Sequence, residues 1–274
     1  MNSYYIVRPT RCRVYHIRDE TGETLCGRYN LPGTGDGPVL GDEYGYEYCK
    51  HCKRRFDRLT KETQVKADLT DITLLIDRSG SMSSCNEKMD AGIADFIKAQ
   101  ASDPGQTNLT IVQFDDKYET VYSGPIADAP VYKLMPRNST ALIYSLGRVI
   151  HETGIRLAAM RDEDRPSLVV IQTVTDGLDN VPSIEYTQAR VRDMVKHQRE
   201  AYKWQFGFLG CNIDSYLTGD GFGISGASTS NYRSALSATA FAATSAMISR
   251  GKLQASAGQE VTLGYTATEK TSMN

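Results

Sequence analysis

Three short β-rich apolar runs constrain this chain more than any other feature. They are residues 71–77 (DITLLID), 108–114 (NLTIVQF) and 167–175 (SLVVIQTVT). None contains Gly or Pro, and each is short for a helix, so each reads as a buried strand. Between and after them the apolar spacing turns helical. Met89, Ile93, Phe96 and Ile97 share a stripe within 86–100, and Leu142, Leu146, Val149 and Ile150 share one within 140–158. Residues 185–201 also read as helix, and a last helix near 232–249 carries Leu236, Ala240, Ala243 and Met247. A further strand is expected at 203–209, and 119–123 should fold back on 108–114 across Asp115-Asp116-Lys117. Strands alternating with amphipathic helices predict an α/β fold: a doubly wound, mostly parallel sheet with helices on both faces.

Before Asp68 the character differs. Four of the six cysteines, Cys12, Cys26, Cys49 and Cys52, fall in the first fifth of the 274 residues. A Gly-, Pro- and Asp-rich loop fills 30–48, and the charged stretch 53–67 suits a short helix leading outward. The expected organisation is a small module at 1–60, the α/β domain at 68–250, and a polar, mobile tail at 251–274. Within that tail, 261–268 alternates enough to allow an added edge strand.

Two polar clusters follow apolar strands, where open α/β sheets bind ligands. Asp77-Arg78-Ser79-Gly80-Ser81 follows the first run, and Asp176-Gly177 follows 167–175. A third polar segment, Arg137-Asn138-Ser139-Thr140, opens a predicted helix. A hard cation such as Mg2+ takes about six oxygens. The hydroxyls of Ser79, Ser81 and Thr140 can be direct, neutral ligands, while Asp77 and Asp176 bring charge directly or through water. Alternate positions 77, 79 and 81 let one tight loop aim three side chains at a point, with Gly80 expected to permit the turn. With few anionic ligands the ion stays electrophilic and can accept a carboxylate from another molecule. Asp90, Asp95, Asp115 and Asp116 read as solvated surface.

DRSGSM at 77–82, Thr140 ahead of a helix, and TDG at 175–177 resemble the metal-ion-dependent adhesion site of von Willebrand factor type A domains. The resemblance covers about residues 68–250. It implies direct ligation by Ser79, Ser81 and Thr140, with Asp77 and Asp176 acting largely through water, on Mg2+ or alternatively Mn2+ or Ca2+. The family often has Gly two residues before the threonine. Asn138 stands there in this chain, and Asn tolerates left-handed backbone.

Cys49-Lys-His-Cys52 is a Cys-x-x-Cys turn that can place two thiolates on one tetrahedral zinc. Cys26 and His16 are the expected second pair, with Cys12 and His51 as competitors. A module with so few apolar residues needs such a staple. Zinc-ribbon-like modules beside a type A domain resemble the layout of bacterial and phage proteins of unassigned role. Lys50, Lys53, Arg54 and Arg55, near Tyr48 and Phe56, would suit nucleic acid, although the composition favours a solvated basic face.

The sequence has no G-x-S-x-G elbow and no G-x-x-x-x-G-K-[ST] loop. His151 and His197 fall in predicted helices, far from the serine loop. The expected function is therefore a non-catalytic interaction module that binds an acidic side chain of a protein partner through Mg2+. The alternatives are a metal-dependent hydrolase or phosphatase using the same ion, and a nucleic-acid-associated protein acting through the zinc module. Net charge of −2 implies no global pull towards nucleic acid or membrane. No stretch approaches the roughly 20 apolar residues of a membrane helix, and residues 1–10 lack the apolar run of a secretory signal. Both fit a cytosolic chain with reduced thiols.

Overall fold

The computed structural model describes residues 5–7, 16–18, 66–84 and 86–274. The chain divides into two compact units, Met1–Val65 and Lys66–Asn274. In the first, β1 (Tyr5–Val7) pairs antiparallel with β2 (His16–Arg18). Cys12, Cys26, Cys49, Cys52, His51 and the side chain of His16 lie outside the described residues, so the expected zinc shell does too. The same holds for the loop at 30–48, the basic run and Cys85.

The second unit begins with β3 (Lys66–Asp77), so the stretch expected to be a helix through 67 is already strand by Lys66. Then come α1 (Asn86–Ser102), β4 (Gln106–Phe114), β5 (Tyr118–Pro125), α2 (Leu142–Ala158) and β6 (Pro166–Thr175). After these come α3 (Gln188–Tyr202), β7 (Gln205–Cys211), α4 (Ser215–Gly221), β8 (Thr229–Tyr232), α5 (Ser237–Ser256) and α6 (Ala267–Met273). The sheet order is β5-β4-β3-β6-β7-β8, with only β5 antiparallel. The chain moves from β3 to β4 on one side and later to β6 on the other, so the carboxyl end of β3 lies at the switch point.

Alternation along β3 explains the layers. Ile72, Leu74 and Ile76 pack with Met89, Ile93 and Phe96 of α1 and Phe241 and Met247 of α5. Leu75 faces the opposite layer, with Val112 and Phe114 against Leu146 and Val149 of α2 and Val191 and Val195 of α3. Burying each such side chain stabilises the fold by roughly 1.5–3 kcal/mol. Among the described residues no helix is long and apolar enough to cross a membrane.

The C-terminal segment departs from the expected mobile tail. Helix α5 runs on to Ser256, and Leu263, Tyr265 and Met273 are buried in the α1/α5 layer. The weak alternation at 261–268 tracks this burial, but the segment pairs with no strand. Its backbone bonds go elsewhere: Leu263 N–H donates to Gln205 Oε1 and Tyr265 N–H to the Ala227 carbonyl. Glu269 and Thr266 form a capping box that starts α6, and Glu269 takes a bidentate grip from Arg250 at 2.7 and 2.8 Å.

Candidate metal centre

At the carboxyl end of β3, Asp77 is fully buried. Its Oδ1 accepts from the Ser79 N–H at 2.7 Å, and its Oδ2 accepts from the Thr175 hydroxyl at the end of β6. Ser79 Oγ lies 3.1 Å from Ser81 Oγ, which donates to Asp176 Oδ1 at 2.7 Å. Two strand ends thus bring Asp77, Ser79, Ser81 and Asp176 into one connected group. Ser79 is buried and Ser81 exposed, so the group opens to solvent on the Ser81 side.

Thr140, also buried, borders this group from the turn before α2. A β-carbon on Gly177 would lie 3.3 Å from Thr140 Oγ1. Backbone bonds tie the turn to the serine loop: Arg137 N–H to the Arg78 carbonyl at 2.8 Å, and Gly80 N–H to the Asn138 carbonyl at 3.1 Å. Asn138 adopts φ +59°, the left-handed conformation that Asn tolerates. Gly80 differs from its expected role. It lies in a short 3-10 turn, Gly80–Ser84, without positive φ, and an added β-carbon would meet the Asn138 oxygen at an ordinary 3.6 Å. The sharp aim of the loop comes instead from Asp77 accepting the Ser79 N–H.

The carboxylates stand in unusual surroundings. Neither Asp77 nor Asp176 takes part in an ion pair among the described residues. Burial pushes the Asp77 carboxyl up to about 6, against the opposing bonds from Thr175 and Ser79. Burial also raises Asp176, against its bond from Ser81. Adjacent ligands around a cation at about 2.1 Å stand about 3 Å apart in an octahedron. The 3.1 and 2.7 Å oxygen separations at Ser81 match that spacing. The donor set is all oxygen, which fits a hard divalent cation. Among the described residues no three His, Cys, Asp or Glu gather as metal ligands, so this centre is hydroxyl-rich by comparison with most.

No family model matches the chain, and no curated protein matches it. Solved structures do. The pilus adhesin SpaC from Lactobacillus rhamnosus GG, in an open conformation, superposes with a TM-score of 0.51 at 13% identity, over 68% of this chain and 31% of that one. Proximal thread matrix protein 1 from the mussel byssus gives 0.49 at 15% identity, over 70% and 48%. A von Willebrand factor type A protein from Catenulispora acidiphila gives 0.47 at 18% identity, over 67% and 43%. The chain spans less than half the length of these three. The fold is a Rossmann-like α/β fold with a mostly parallel six-stranded sheet, consistent with the one that the type A resemblance implies. At these identities the likeness is one of fold.

In this fold, several residues that hold the loops were not apparent from sequence. Asp115, expected on the surface, is fully buried. It accepts from Arg78 Nε at 2.9 Å and Arg137 Nε at 2.7 Å, which with the Lys117 N–H hold its carboxyl below the usual range. Asp90 likewise accepts from the Leu134 N–H at 2.7 Å. Asp179 and Asn180, just past Asp176, bond to the start of α2. The signal that could have found them is the missing cap: Ala141 precedes α2 and offers no side-chain bond. His151 lies exposed on α2, and His197 stacks edge-on with Tyr202 at the end of α3.

Proposed function

We propose that the Lys66–Asn274 unit is a non-catalytic interaction module that holds a divalent cation at its serine loop and docks an acidic group of a protein partner there. Ser79, Ser81 and Thr140 would hold the ion by their hydroxyls, with Asp77 and Asp176 supplying negative charge. Bound there, a hard cation such as Mg2+ supplies an electrophilic centre for a carboxylate oxygen. The observation that carries the reading is the juxtaposition of clustered hydroxyls with two carboxylates, one fully buried and one half-buried, that no basic side chain among the described residues neutralises. In the same reading the protein is cytosolic, and His16, Cys26, Cys49 and Cys52, with Cys12 as alternative, hold zinc in the N-terminal unit.

The chain's own residues divide the work. Thr175 and the Ser79 N–H fix the orientation of Asp77. The exposed Ser81 and half-buried Asp176 face outward, where a partner would approach. The test compares capture of partners from the native host by the wild type and by Ser79→Ala/Ser81→Ala, each with Mg2+ and with chelator. At least one partner should require both the metal and the hydroxyls while the variant stays folded. Survival of every partner through both mutation and chelation would refute the docking role.

A further inference from the structure

The turn that carries Thr140 is not held by its own helix. Helix α2 begins after Ala141, whose side chain offers no cap, so its first N–H groups need acceptors from elsewhere. The loop after β6 provides them. Asp179 Oδ1 accepts from the Ile143 N–H at 2.8 Å, and Asn180 Oδ1 accepts from the Thr140 N–H at 2.8 Å. The Asn180 N–H returns a bond to the Thr140 carbonyl at 2.9 Å. Gly177 of the same loop lies close to that threonine too, since a β-carbon there would stand 3.3 Å from Thr140 Oγ1. A single five-residue stretch, 176–180, therefore supplies one candidate ligand and grips another by both its backbone polar groups.

We infer that Asn180 is a positioning residue for the metal centre: it fixes Thr140 so that the Thr140 hydroxyl and the Asp176 carboxylate act on the cation as one preassembled unit. This rests on the proposed ion site. The physical reason is one of preorganisation. Thr140 follows a turn with a left-handed residue, Asn138, and precedes a helix whose cap comes from Asp179 rather than from its own N-cap residue, so its placement is not enforced locally. The Asn180 amide ties it to the strand end that bears Asp176. Removing that amide leaves Thr140 N–H without its acceptor and frees the hydroxyl to turn from the ion. Partners that orient metal ligands typically change affinity by about 10- to 100-fold when removed.

The experiment is Mn2+ titration of the full chain, followed by the loss of the free-ion electron paramagnetic signal, with the thermal midpoint in chelator measured alongside. Wild type, Asn180→Ala, Thr140→Ala and the double variant form a cycle. Asn180→Ala should weaken Mn2+ binding by about tenfold or more. The double variant should bind no more weakly than Thr140→Ala alone, because Asn180 acts through Thr140. Effects that add, or an Asn180→Ala variant with wild-type affinity, overturn the inference while leaving the ion site standing. A wild type that binds no Mn2+ overturns both. Should Asn180→Ala fail to fold, Asn180→Asp keeps an acceptor for the Thr140 N–H and should bind Mn2+ at least as tightly as the wild type, and weakened binding there overturns the inference as well.

Discussion

Strand β3 carries two buried aspartates, one at its middle and one at its carboxyl end, and they are treated in opposite ways. Asp71, at the middle of the strand, receives a bidentate grip from Arg156 of α2 at 2.7 and 2.8 Å. Asp77, at the carboxyl end and on the same side of the strand, receives hydroxyl and amide bonds and, among the described residues, no basic side chain. Nearby Asp115 follows the Asp71 pattern, with two arginines. Removing a carboxylate from water is costly unless a positive charge or several donors compensate. The fold supplies that charge at Asp71 and Asp115 and withholds it at Asp77 and Asp176. The difference separates carboxylates paired with arginine inside the framework from carboxylates that have no basic partner among the described residues.

That contrast can be broken by experiment. The largest effect should come from Asp115→Ala, which takes a buried carboxylate from both Arg78 and Arg137 and leaves Arg78 paired with the exposed Glu119 alone. We expect a loss of about 3–5 kcal/mol in urea unfolding, the same with and without Mg2+. Asp71→Ala should lose less, about 2–3 kcal/mol, because a third of the Arg156 side chain is exposed and can rehydrate. A loss of Mg2+ dependence in either variant would merge the two classes. Wild type should gain about 2.7 kcal/mol when Mg2+ rises to a hundred times its dissociation constant. Asp77→Asn should abolish that gain while unfolding in chelator near the wild-type midpoint. The smallest effect should be Asp179→Ala, which removes the cap of α2 at a cost of about 1 kcal/mol. A zero effect in chelator would mean that water caps the helix equally well.

How much of this could be read beforehand depends on the range of the interactions. The apolar runs mark β3, β4 and β6 because burial on both faces leaves a continuous local signal. Strand β8 (TSNY) escaped because four mostly polar residues carry no such signal, although Tyr232 is buried. The Asp77–Ser81 loop and Asp176 stand out because spacing within a few residues encodes them. Asp115 did not, since its partners Arg78 and Arg137 lie 37 and 22 residues back and ahead. Asn180 holds Thr140 across 40 residues, and no local pattern reports such a bond. The C-terminal segment misled for the opposite reason. Its polar composition suggested solvent, while three well-spaced apolar residues, Leu263, Tyr265 and Met273, were enough to seat it.

That seating has a mechanical consequence. Strand β3 enters at Lys66 between two parallel neighbours, so tension along it loads both ladders in shear, and many bonds must yield together. The chain's other end is anchored differently. Pulling at Asn274 meets α6 first, where the Arg233 N–H bond to the Met273 carbonyl and the Arg250–Glu269 pair are loaded one after another. Under force the C-terminal segment would peel away in steps, exposing the end of α5 while the central sheet stayed intact.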